Sequence, residues 1–149
     1  MKKAIALLLA LVMVFALCAC GGGGDSAGGE KVVKIGVFEP ASGDSGAGGK
    51  KEMLGMQYAN QETPTVEIGG ETYKVELVYS DNGSDSAKAV SAASKLVNEK
   101  VSLVLGSYGS GVSIAASDTF KQAGIPAIGV TCTNPNVTAG NSHYFRICF

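Results

Sequence analysis

Apolar residues recur along this chain in two rhythms. In VVKIGVF (32–38) the β-branched content and alternation predict a strand. In YKVELVY (73–79), Tyr73, Val75, Leu77 and Tyr79 share one face, which predicts a second strand. Between them, residues 50–61 place Leu54 and Tyr58 four apart, a helical spacing that Pro64 ends, and Ile68-Gly69-Gly70-Glu71 marks a turn. From Asp85 to Glu99 the pattern is that of a helix, with Ala89, Ala93, Leu96 and Val97 at i, i+4, i+7 and i+8 and Ser84 or Asp85 placed to cap it. VSLVL (101–105) is short and mostly apolar, as a buried parallel strand is. Val112, Ala116, Phe120 and Ala123 predict a helix over 112–123, with Gly124 at C′ and Pro126 blocking continuation. IPAIGV (125–130) reads as a fourth strand, and YFRICF (144–149) alternates like a strand interior.

Strands separated by helical segments imply parallel pairing with right-handed crossovers. The expected class is therefore α/β, a doubly wound parallel sheet. Ligands of such sheets bind at the carboxyl ends of the strands. Three segments fall there, residues 39–49, 106–111 and 131–135, and all are rich in Gly, Ser or Thr.

The amino terminus adds an address. Lys2 and Lys3 precede an unbroken apolar run from Ala4 to Leu17, fourteen residues. That is short of the roughly 20 needed to span a bilayer and fits an export signal. Leu17-Cys18-Ala19-Cys20-Gly21 resembles a bacterial lipobox, with Leu17 three before Cys20 and Ala19 at the small-residue position. Cys18 does not fit, because Leu17 would stand in the small-residue place. Residues 1–19 are thus read as a lipoprotein signal peptide and Cys20 as the lipidated residue. Residues 20–31 are read as that cysteine with a flexible glycine-rich tether. This places the rest of the protein on the extracytoplasmic face of a membrane, held by lipid.

Removal of residues 1–19 takes two of the 12 basic residues and none of the 13 acidic ones, leaving a net charge of −3. No basic patch stands out, which argues against nucleic acid. Cys132 and Cys148 fit no metal spacing and form no disulfide framework, so both are expected as free thiols.

Motifs for covalent chemistry fail one by one. Gly43-Asp44-Ser45-Gly46 matches the nucleophile segment of trypsin-like proteases, but the sole histidine, His143, follows it in the chain, and a parallel pattern replaces antiparallel barrels. A loop residue near the surface is the expected role of His143. The phosphate-loop pattern ending at Gly49-Lys50 needs glycine at 44 and a hydroxyl at 51, where Asp44 and Lys51 stand. G-x-S-x-G is absent around Ser110. Neither a carboxylate pair nor a metal cluster is evident, and no cofactor is expected. The sequons at Asn82 and Asn136 are read as chance. What survives is Ser110, where a strand hands over to a helix whose free N–H groups suit an anion such as a carboxylate. Thr131 and Thr133 follow the next strand. The pattern alone leaves open whether Ser110 is only an N-cap and the threonines only turn residues.

From Lys34 onward the chain resembles the leucine/isoleucine/valine-binding protein family, type I periplasmic solute-binding proteins of ABC importers. The matching pieces are KIGVFEPASGDSGAGG, ELVYSDNGSDSAKAVSAASKLVNEKVSLVLGSYGS, ASDTFKQAGIPAIGVTCTNP and YFRICF, in the family's order. The resemblance implies a two-lobed, hinged receptor that closes on a small solute and docks on a membrane permease. It makes residues 32–149 a truncated first lobe and the chain a fragment of a longer protein, a non-enzymatic binder of an amino acid of branched-chain type or a related solute. Carried over by position, the serine that holds the ligand's carboxylate falls on Ser110 and two strand-end positions fall on Thr131 and Thr133. Tyr108 and Gly109 line the approach, and Asp44 and Ser45 are rim candidates. A tyrosine common in the family's first loop falls on Gly48 or nearby. The disulfide of some members would need cysteines near Ser84 and Gly109, where there are none. Two rival readings are a ligand-sensing domain of a signalling receptor, and a serine hydrolase using Ser45 or Ser110.

Overall fold

A computed structural model of the chain describes residues 30–148. The export-signal segment, Cys20 and the tether up to residue 29 lie outside the described residues. Five strands run parallel in the spatial order β3-β1-β4-β5-β6: β1 (Val32–Val37), β3 (Glu71–Tyr79), β4 (Leu103–Leu105), β5 (Ala127–Gly129) and β6 (Tyr144–Arg146). A sixth, β2 (Thr65–Ile68), pairs antiparallel with β3 at the sheet's edge. The helices are α1 (Gly46–Glu62), α2 (Ser86–Asn98) and α3 (Ser110–Gln122). Each parallel crossover passes through one helix or, between β5 and β6, through a short 3-10 turn at Pro135–Val137.

The core lies on the sheet face that α2 and α3 cover. Val104, Ala127 and Phe38 bury completely against α2 and α3, which supply Ala89, Ala93, Leu96, Ala116 and Phe120. Phe38 meets Phe120 edge to face, with ring centroids 5.4 Å apart, a favoured aromatic geometry. α2 starts where the sequence placed it, because Asp85 accepts the Ala87 N–H at 2.8 Å as its N-cap. α3 ends before Gly124, whose φ of +68° is the left-handed C′ conformation. The opposite face is thinly covered. α1 alone lies over it, above a groove of about 500 Å³ walled by Ile35, Met56, Ala59, Val75, Leu77 and Val130. Leu54 and Tyr58, the spacing that announced this helix, point to solvent at 63 % and 64 % exposure.

Three elements depart from expectation. β2 was unassigned, although the two-residue Gly69-Gly70 turn is a hairpin signal and Val66 and Ile68 alternate with Thr65 and Glu67; the alternation is only four residues long, and all four residues are exposed. Glu30 and Lys31, assigned to the tether, ion-pair with Lys74 and Glu71, and Lys74 N–H donates to the Lys31 carbonyl at 2.8 Å. α1 begins at Gly46, four residues ahead of the expected Lys50, so half of the glycine-rich loop is helix. The cause is crowding: a Cβ on Gly49 would come within 2.7 Å of the Pro40 ring, and one on Gly48 within 2.6 Å of the Tyr108 ring. These glycines let the first turn of α1 pack against its neighbours rather than lending it slack.

The remaining loop, Phe38 to Ser45, is stapled to the one after β3. Asp81 accepts from the amides of Ala41 (2.8 Å), Ser42 (3.3 Å) and Gly83 (2.8 Å) and from the Ser42 hydroxyl (2.7 Å). Burial would raise its pKa, but these donors outweigh that and hold it below the ordinary 3.8.

Leu96 sits at the junction of α2 and the sheet with no exposed surface, so Leu96→Ala is expected to cost about 2–5 kcal/mol in denaturant unfolding, the range for buried leucines. The Asp81 staple contributes stability above its unfolded pKa and loses it as pH falls through the lowered folded value. Asp81→Ala is expected to speed amide exchange at Ala41 and Ser42 at neutral pH. It is also expected to remove part of the acid sensitivity that the parent shows there. Unchanged exchange at both amides would contradict the staple.

Candidate functional site

The carboxyl ends of the parallel strands lie on one edge of the sheet, and the three loops expected there do converge. The Tyr108 ring stands over Gly48 on α1. The Thr131 hydroxyl lies 3.2 Å from the Tyr108 carbonyl and 2.7 Å from Glu52 Oε1, and the Asn134 N–H donates to Ser110 Oγ at 3.2 Å. A notch thus forms between the end of β4, the end of β5 and the start of α1.

Each expected site residue has a definite place in it. Gly109, not Ser110, is the N-cap of α3, in an extended conformation and without a side-chain cap. This corrects the N-cap reading of Ser110, which is the first helical residue. Helical geometry leaves the N–H groups of Ser110, Gly111 and Val112 without intrahelical acceptors. The Ser110 hydroxyl accepts from Asn134 and keeps its own proton for a further acceptor. Tyr108 is 41 % exposed and forms a wall. Thr131 turns its hydroxyl inward to Glu52 and the Tyr108 carbonyl, so its single proton is committed within the protein. Thr133 is exposed, and its carbonyl accepts from Arg146 Nη1 at 3.0 Å, as does that of Cys132 at 3.1 Å. Asp44 is exposed on the rim, and the Ser45 amide donates to Ser84 Oγ at 2.9 Å.

Beneath the notch lies a buried polar layer that sequence reasoning missed. Asn82 donates to the Phe38 carbonyl (3.1 Å) and to Ser107 Oγ (3.0 Å), which removes it as a glycosylation site. Ser113 Oγ lies 3.2 Å from the Ser107 amide and 3.0 Å from Cys132 Sγ. The Cys132 thiol donates to the Ser107 carbonyl at 2.9 Å, and its pKa is raised, first by burial. The Tyr144 hydroxyl donates to the Gly106 carbonyl at 2.6 Å. Both Cys132 and Cys148 are free thiols. Glu39 is the deepest acid of the layer, 1 % exposed, with one oxygen accepting the Tyr108 amide at 2.7 Å. The one signal for it was an acid placed directly after the apolar strand run, in GVFEP.

Nothing in this arrangement serves as a nucleophile–base pair. His143 precedes β6 and therefore lies at the amino edge of the sheet, opposite Ser45 and Ser110, and its Nδ1 faces Ser142 Oγ at 3.2 Å. Among the described residues no group of three or more His, Cys, Asp or Glu is placed to hold a metal, and no helix is long and apolar enough to cross a membrane.

Known proteins share both the sequence and this architecture. Leu/Ile/Val-binding protein homolog 2 of Brucella abortus is 32 % identical over 117 residues, which cover 78 % of this chain and 31 % of that protein. The crystal structure of the leucine-binding protein LivK from Thermotoga maritima superposes with a TM-score of 0.73 at 36 % identity, covering 79 % of this chain and 33 % of that one. The branched-chain amino acid transporter substrate-binding protein LivJ of Streptococcus pneumoniae, solved in complex with isoleucine, gives a TM-score of 0.69 at 33 % identity, over 78 % of this chain and 33 % of that one. The chain thus spans about a third of the length of these relatives. The apolar periodicity, the parallel sheet and the resemblance of residues 34–149 point the same way, and the sequence profile of periplasmic binding proteins matches residues 32–147: the chain belongs to the periplasmic binding protein family.

Proposed function

We propose that residues 32–149 are the first lobe of an extracytoplasmic solute-binding protein that delivers an amino acid of branched-chain type, or a related small solute, to the permease of an ABC importer. The observation that carries this reading is the uncapped amino end of α3 beside Ser110, open to the notch at the strand tips. The amides of Ser110 and Gly111 and the Ser110 hydroxyl are suited to a carboxylate, since a helix start presents free donors and a favourable dipole. Tyr108 and Gly109 form the adjacent wall. Thr131 and Thr133 then act through backbone and position more than through hydroxyls, because the Thr131 proton is already engaged. The LivJ relative holds isoleucine, which makes branched-chain amino acids the first ligands to try. A second lobe would close over the notch and exclude water, with no bond made or broken. Lipid on Cys20 would keep the receptor near its permease.

Calorimetric titration of the complete receptor with leucine, isoleucine and valine tests the reading. Ser110→Ala is expected to weaken the bound amino acid by about 1–3 kcal/mol, the cost of an unmatched polar group, or roughly 5- to 150-fold in Kd. Equal affinity in parent and variant would take Ser110 out of the site. For the anchor, Cys20→Ala is expected to move the protein from the membrane fraction to the soluble one. Retention of the variant in the membrane would refute lipidation there.

A further inference from the structure

Glu39 and Glu52 approach each other from different elements, one from the end of β1 and one from α1. The Tyr108 main chain and the Thr131 hydroxyl link the two, since that hydroxyl also lies 3.2 Å from the Tyr108 carbonyl. Each has one oxygen accounted for: Glu39 Oε2 accepts the Tyr108 amide at 2.7 Å, and Glu52 Oε1 accepts the Thr131 hydroxyl at 2.7 Å. Each also has one that is not, since Glu39 Oε1 and Glu52 Oε2 are both buried without a donor. Glu39 Oε1 is pressed so close to Gly106 that a Cβ there would come within 2.5 Å of it.

Two ionised carboxylates only accept, so neither can satisfy the free oxygen of the other, and like charges away from water repel. The two oxygens without a donor call for a positive species. The groups that surround Glu39 are Glu52 from α1, the Tyr108 amide from the loop after β4, Cys132 from the loop after β5 and Tyr144 from β6. Two of these side chains are themselves weak acids, and among the described residues no ammonium, guanidinium or imidazole acts on Glu39. No third ligand completes a metal group among the described residues. A proton carried by one carboxyl and accepted by the other satisfies the buried oxygens with the atoms present.

We propose that Glu39 and Glu52 share a single proton, and that this acid–carboxylate pair is a positioning device that ties α1 to the ends of β1, β4 and β5. The Tyr108 amide and the Thr131 hydroxyl are its two arms, so the shape of the notch depends on the proton being present. Burial first, then the hydrogen bond and charge of Glu52, push Glu39 from 4.5 up to about 9, against a smaller downward pull from the Tyr108 amide. The inference touches the proposed ligand site at Tyr108 and Thr131, but its test needs no ligand, so the two readings fail separately.

The sign follows from linkage. A folded value of about 9 above an unfolded 4.5 gives stability that is complete below 4.5 and declines as pH rises toward 9. Urea unfolding of the full chain across that window, for the parent and for Glu39→Gln, measures it. The folding constant of the parent is expected to fall relative to the glutamine variant by up to about tenfold per pH unit. Infrared difference spectra at pH 7 are expected to show one protonated carboxyl in the parent and none in Glu39→Gln. A parent spectrum with no protonated carboxyl at pH 7, or a parent-to-variant stability ratio that is flat with pH, overturns the proposal. Stoichiometric calcium binding that Glu39→Gln and Glu52→Gln both abolish would also overturn it in favour of a cation. If Glu39→Gln does not fold, the spectrum of the parent still decides.

Discussion

The edge where five parallel strands stop is the constraint on which this molecule is built. There the sheet's ladder runs out, and main-chain groups shielded from water must find other partners or cost about 1–3 kcal/mol each. The last ladder bonds, Phe38 N to the Leu105 carbonyl and Gly106 N to the Ile128 carbonyl, give way to side chains. Asn82, Tyr144, Ser113 and the Cys132 thiol take over the carbonyls and amides of Phe38, Gly106 and Ser107. This layer fixes the backbone from Gly106 to Gly109, and that backbone aims the start of α3. The amino end of a helix that is held open in this way, with its first amides unclaimed, is the feature on which recognition would draw.

A division of labour between the two faces of the sheet follows. α2 and α3 bury a continuous apolar core, and its rigidity sets the positions of the strand ends. α1 makes little apolar contact and is held instead at its first turns, by the close approach of Gly48 and Gly49 and by the Glu39–Glu52 pair. The helix is fastened at the ligand end and rests over a groove along the rest of its length.

Periodicity made most of this fold legible before any coordinates. The strands at 32–38 and 73–79 and the helix at 85–99 lie within a few residues of their observed limits, because each carries a regular apolar spacing. β2 was overlooked because its alternation, Val66 and Ile68, is only four residues long and faces solvent. The early start of α1 was hidden because glycine speaks for flexibility in a string of letters and for proximity once Pro40 and Tyr108 stand against it. At the notch, the strand-to-helix handover at Ser110 was legible from its neighbours in sequence. The inward turn of Thr131 was not, because its partner Glu52 is 79 residues away. Glu39, Asn82 and Ser107 were passed over for the same reason. Each is polar and lies beside an apolar run, and only the sheet edge makes them neighbours.

The ring of Tyr108 leaning on the bare rung at Gly48 carries one more implication. A Cβ at residue 48 would stand 2.6 Å from that ring, so any side chain added there obliges the aromatic plate to swing aside. The missing Cβ is thus a berth reserved for the ring, and the width of the mouth is set by an absence on one wall as much as by the bulk on the other.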